Sequence, residues 1–210
     1  ERLAATYADL ASQRRYRKAI DFFLSDLYGT RDFTKRDADL VRVYPIMVRA
    51  LSENALESLA TAVEVHALTQ ELDSELLKAL RDSGVDIGKD PSALDQERYA
   101  RAYRKCDNHD RRVRQIELIR ETGGLLDEVV RHPLIFLTVR LVRAPAHAAG
   151  LGELQEFLER GLGAFRAMKG AGQFLQTILD REFFILEQIF SGKPLGDWSA
   201  SSFANQGAVG

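Results

Sequence analysis

Between residues 52 and 81 the chain carries Leu56, Leu59, Val63, Leu68, Leu72, Leu76 and Leu80 at helical spacing, in an uninterrupted pattern. Apolar residues repeating with a period near 3.6 line one side of a helix, whereas a strand would alternate with a period of two. The stripe is broad and drifts around the axis, which predicts a central helix touched by several neighbours. The same periodicity returns along most of the chain, without a 20- to 50-residue repeat or a sustained heptad. The expected fold is all-α: a single-domain, irregular helical bundle of seven to nine helices.

The other helices follow from their apolar faces and their breakers. Residues 2–28 read as one helix through Leu3, Tyr7, Leu10, Ile20, Phe23, Leu24 and Leu27. Within it, Arg14, Arg15, Tyr16, Arg17 and Lys18 form a stretch expected to be solvated. Leu40, Val43, Tyr44, Met47 and Leu51 share a face of the next helix, which Pro45 should kink or split. Ser52 opens the long central helix, and the turn-rich residues 83–91 form the clearest surface loop. Ser92 restarts a helix that breaks near Cys106, Asp107 and Asn108, and another follows over 110–131. Gly123 and Gly124 inside that helix allow a kink or the close approach of a neighbour.

Pro133 suits a first helical position, so 134–142 reads as a short buried helix ended by Pro145, with a strand as the alternative. Two further helices carry Leu154, Phe157, Leu158, Leu162 and Phe165, then Phe174, Leu175, Ile178, Leu179, Phe183, Leu186, Ile189 and Phe190. The helical domain is expected over 1–191. Residues 192–210, rich in Gly, Ser, Ala and Asn, read as a flexible C-terminal tail in which Trp198 and Phe203 can dock on the body or on a partner.

The formal net charge of -2 gives no global reason to expect nucleic acid or an anionic membrane as partner. Cys106 is the only cysteine, which excludes an intramolecular disulfide and a cysteine-based zinc site within one chain. That composition fits a reducing compartment, and cytoplasmic localisation is the expectation. The most apolar run, residues 134–139, is far shorter than the roughly 20 residues a membrane-spanning helix needs.

The segment Phe22-Phe23-Leu24-Ser25-Asp26-Leu27-Tyr28-Gly29-Thr30-Arg31-Asp32-Phe33, followed by Lys35-Arg36-Asp37-Ala38-Asp39-Leu40, resembles uncharacterised soluble all-helical bacterial proteins. Phe165-Arg166-Ala167-Met168-Lys169-Gly170-Ala171 is similar to their C-terminal part. The resemblance implies a soluble bacterial protein, carries no activity and transfers no functional residue.

Motifs of chemistry are sparse. The glycine loops of nucleotide-binding proteins and the G-x-S-x-G elbow are missing, and so are Glu-x-x-His and His-Glu-x-x-His. Glu128 and His132 can share a helix face, but read as a surface contact. Cys106 beside Lys105 and near His109 lacks the third group that a nucleophilic triad needs. No catalytic residue, metal ligand or cofactor is assigned.

Four residues are candidates for a ligand site. Arg140 sits in a segment otherwise apolar on every side, where a buried charge must be paired. Its reading is a salt bridge to Glu64, Asp26 or Glu182, or else an inter-helix pocket in which Arg140, with Arg143 and His132, holds an anion. His66, in phase with Leu59 and Val63, is a hydrogen-bonded core histidine or a haem-like ligand. A separate candidate anion patch comprises Arg101, Arg104, Lys105, Arg111 and Arg112, with Tyr99 and Tyr103 interleaved and acids scattered among them.

The leading expectation is a non-enzymatic protein-interaction module that binds another protein or itself, using Tyr16, Trp198, Phe203 or the 83–91 loop. The alternatives are a small-molecule binder or enzyme near Arg140, and anion or nucleic-acid binding by the 98–120 stretch. Nucleic acid is the less favoured partner, and no membrane partner is expected.

Overall fold

The computed structural model describes residues 2–27, 34–50, 53–89 and 94–206, and every regular element among them is helical. In chain order these are α1 (Arg2–Thr6), α2 (Ala8–Ser12), α3 (Arg17–Phe22), a π-helical turn (Phe23–Leu27), α4 (Thr34–Ala50) and α5 (Glu53–Asp82). Then come α6 (Gln96–Lys105), α7 (His109–Val129), α8 (Pro133–Leu141), α9 (Arg143–Ala148), α10 (Gly152–Met168), α11 (Gly172–Ser191) and α12 (Ala200–Gln206). These twelve α segments exceed the expected seven to nine chiefly because the N-terminal helix is broken into pieces.

The break has a cause in Arg15 and Tyr16. Gln13 ends α2 in an extended conformation. Beyond it, Arg15 Nε donates to the carbonyl of Met168 at 2.7 Å and its Nη2 to that of Gly170 at 3.0 Å. Those oxygens lie at the end of α10, where Lys169 turns left-handed at φ 53°. A cation on the free carbonyls of a helix C-terminus is favourable. Tyr16 is buried, stacks on Phe174 at 5.5 Å and donates its hydroxyl to Gln173 Oε1. Of the stretch expected to be solvated, Arg14, Arg17 and Lys18 are exposed, Arg15 clamps the end of α10, and Tyr16 is core rather than an exposed aromatic.

Helices α7 and α11 form the centre. Helix α7 packs on α5, α11 and α10, while α11 also packs on α6. Helix α11 buries Phe174, Leu175, Ile178, Leu179, Ile185, Leu186 and Ile189. Each such side chain contributes about 1.5–3 kcal/mol relative to exposure. The long helix α5 lies to one side. Its C-terminal half buries Leu72, Leu76 and Leu80, whereas Val63 and Leu77 face solvent. The drifting stripe thus marks a helix that leaves the core along its length, not a central one.

Glycine at 123 is explained by contact, since a Cβ there would collide with the Leu175 side chain, and α7 runs unbroken past it. Pro45 is carried inside α4 without splitting it. Helix α6 starts at Gln96, capped by the Asp95 carboxylate on the Arg98 amide at 2.7 Å. The expected starts at Ser92 and Ser52, and part of the 83–91 loop, lie outside the described residues. Within that loop Val85 is buried against Leu76, Leu80 and Ala102.

After Gly192, Trp198 is buried against Ala100, Ile185 and Ile189, and its indole N–H donates to Gln188 Oε1 at 2.8 Å. Phe203 meets Phe184 edge to face. Both aromatics dock on the body of the same chain. No helix of the described residues is long and apolar enough to cross a membrane.

Candidate functional site

Helix α8 was expected to be buried, and none of its residues is. His132 precedes it as N-cap, Pro133 opens it, and Val142 serves as C-cap of α8 and N-cap of α9. The inner side rests on α10: Ile135 and Val139 are half-buried, and Gln155 Nε2 reaches the Val139 carbonyl at 2.6 Å. Phe136 lies under the Arg166 guanidinium, 4.4 Å from the ring centre. The outer side is bare, with Leu134, Leu137 and Leu141 exposed by 70%, 54% and 68%. Val142 continues the apolar surface toward α9. No element of the described residues crosses the outside of α8, so a largely apolar helix shows most of its side chains to water.

The segment itself carries cations and no acid. From Val129 to Gly152 the sequence holds Arg131, Arg140, Arg143, His132 and His147 and no carboxylate. Arg131 reaches back to Asp127 at 2.5 Å, and Arg143 stands 3.8 Å from Glu159 on α10. Arg140 is exposed and has no ion pair among the described residues. The acids expected to hold it have other partners. Asp26 takes Arg160, Glu64 takes Arg114, and Glu182 takes Arg2 together with the Tyr7 hydroxyl. Burial never forced a pair on Arg140, because α8 lies at the surface.

Arg140, Leu141, Arg143, Ala144 and His147 line a depression of about 550 Å³ that is open to solvent rather than closed between helices. The structure thus brings Arg140 and Arg143 together. His132 stands at the far end of α8, about 12 Å away along the axis. His66 is remote in the chain and half-buried on α5, with Nε2 3.0 Å from Gln70 Nε2. Arg42 on α4 donates to the Ala149 carbonyl at 3.0 Å, tying α4 to the end of α9. Helix α4 carries two more exposed apolar residues, Val41 and Tyr44.

The 98–120 stretch is largely neutralised by acids on neighbouring helices. Arg111 bonds Glu71 and Glu75, and those hydrogen bonds raise its pKa. Arg112 is buried, donates to the Leu72 carbonyl at 2.9 Å and lies 4.4 Å over the Tyr103 ring. Arg104 donates to the Ile189 carbonyl at 2.9 Å. Only Arg101 and Lys105 of the five candidate patch residues stand exposed. His109 opens α7 between Asp110 and Glu187, whose hydrogen bonds raise its pKa. Burial raises the pKa of the Cys106 thiol, which donates to the Ala102 carbonyl. No group of three or more His, Cys, Asp or Glu side chains converges on a metal-sized site among the described residues.

Its apolar neighbours make Arg140 read as a buried charge, and that reading passes over the exposed leucines beside it. The available signal was the coincidence of the most apolar segment with the long gap between Glu128 and Glu153. A buried helix has no reason to shed its carboxylates while keeping arginines.

No curated protein and no solved structure matches the chain. A family model does match, over residues 1–196. The chain belongs to the family described as Domain of unknown function (DUF8198).

Proposed function

We propose that this chain is a non-enzymatic helical protein-interaction module that engages its partner through the outer face of α8 and the start of α9. One observation carries the reading: Leu134, Leu137 and Leu141 stand in solvent along one side of a helix whose other side is also apolar. Contiguous exposed apolar surface rimmed by charge is characteristic of interaction sites. Covering three leucines contributes about 1.5–3 kcal/mol each when burial is complete. That is a useful part of the cost of association.

The other readings have less support. An anion site in the 98–120 stretch is disfavoured by the carboxylates and carbonyls that occupy Arg104, Arg111 and Arg112. A small-molecule pocket at Arg140 is disfavoured by the open depression there, since ligand sites bury most of their occupant.

The test is a photo-crosslinking amino acid placed at Leu137 in cells that make the protein naturally, with Glu97 on α6 as the control position. The expected result is an adduct of defined mass from position 137 only, lost when Leu134 and Leu141 are changed to Ser. An equal pattern at both positions, or no adduct at 137, rejects the reading.

A further inference from the structure

Resting on that reading, we infer that the partner of the α8 face is an amphipathic helix with carboxylates flanking an apolar seam. Leu134, Leu137 and Leu141 are spaced i, i+3 and i+7, the spacing by which one helix reads another. Arg140 directly flanks the last of these leucines and stands exposed. In helix-on-helix contacts, charges flanking the seam set the choice of partner. The depression lined by Arg140, Leu141, Arg143, Ala144 and His147 continues the same surface.

Charge separates this occupant from two others. In a symmetric dimer through this face, each copy would bring Arg140, unpaired among the described residues, and no carboxylate from the stretch between Glu128 and Glu153 to answer it. Like charges placed together are costly, so a second copy fits poorly. An anionic bilayer is read by clusters of 4–8 Lys or Arg. Here Arg131 and Arg143 already face Asp127 and Glu159, leaving Arg140 as the cation of α8 without an ion pair among the described residues. A single well-placed guanidinium suits one carboxylate on a helix better than a sheet of headgroups.

The experiment uses the full chain and two fluorescein-labelled, side-chain-stapled synthetic helices of three heptads. Both carry Leu at the seam; one is flanked by Glu and the other by Lys. Anisotropy is read at peptide concentrations below self-association, beside sedimentation with phosphatidylserine vesicles. The Glu helix is expected to bind about ten-fold tighter than the Lys helix, a difference that shrinks with salt. Arg140→Glu is expected to reverse the order, and Leu137→Glu to abolish both. Equal binding of the two helices, or tighter binding of the Lys helix, overturns the acidic-partner inference while leaving the interaction module standing. Failure of both helices together with sedimentation on vesicles assigns the face to lipid and overturns both. Failure of every probe also overturns both.

Discussion

Arg160 on α10 closes on Asp26 in the π-helical turn, with Nη2 2.5 Å from Oδ1 and Nε 3.3 Å from Oδ2. The carboxylate is almost completely buried while the guanidinium is nearly half-exposed. Arg36 adds a bond from Nη1 to the Asp26 carbonyl at 3.0 Å, and its guanidinium lies over the Phe157 ring. This cluster draws the π-helical turn and the start of α4 onto α10.

Arg160→Ala is therefore expected to destabilise the chain by about 3 kcal/mol, because it leaves a buried carboxylate with its best partner gone. Urea unfolding measures it. Asp26→Ala should cost less, about 1–2 kcal/mol, because the guanidinium it leaves is nearly half-exposed. A loss below 1 kcal/mol for both would assign the cluster no structural weight.

The paired glycines of α7 are expected to respond in opposite directions. Gly123→Ala forces a Cβ into the Leu175 side chain, a clash that costs about 1–3 kcal/mol. Gly124→Ala meets nothing within 4 Å and gains up to about 1 kcal/mol from helix propensity. Thermal unfolding of the two variants, side by side, decides whether close approach is the reason for the first glycine.

The pH dependence of stability has two edges. The His109 pKa is raised from 6.5 by hydrogen bonds to Asp110 and Glu187. Its contribution is complete below the unfolded value and fades as pH rises through the raised one. The Asp9 pKa is lowered from 3.8, first by its hydrogen bond to Arg181. That contribution is complete above 3.8 and is lost as pH falls through the lowered value. Denaturant midpoints against pH should show a small decline above 6.5 that His109→Gln removes, and a separate acid decline that Asp9→Asn weakens.

Replacing Leu134, Leu137 and Leu141 together by Ser should lower the unfolding midpoint only slightly, through the weaker helix propensity of Ser, since these side chains face water. Leu118→Ala on α7, at a fully buried position, should instead cost about 2–5 kcal/mol. A large loss from the triple variant would mean that the face of α8 supports the fold.

Much of the fold was legible in the sequence because periodicity reports which side of a helix is apolar. The faces of α10 and α11 and the break near Asp107 were read that way. Periodicity does not report what covers a face, and there the reading failed. Leu134, Leu137 and Leu141 have the spacing of core residues, yet no helix of the described residues lies over them. Tyr16 and Trp198 sit among charged or small residues, yet long-range contacts bury them. The ion pair of Asp26 with Arg160 spans 134 positions, beyond the reach of local pattern. Among its apolar neighbours Arg140 reads as a charge in need of shelter, and the structure leaves it exposed.

Trp198 is the only tryptophan in the chain. Enclosed by Ala100, Ile185 and Ile189, with its N–H held by Gln188, it is a built-in optical probe of the seam between the C-terminal segment, α6 and α11. Its emission should be blue-shifted and resistant to iodide quenching in the folded chain. The α8 face belongs to a different part of the molecule, so a partner docking there leaves that emission unchanged. Detachment of the C-terminal segment would shift it to the red before the rest of the bundle melts, so one cuvette distinguishes a bound protein from a fraying one.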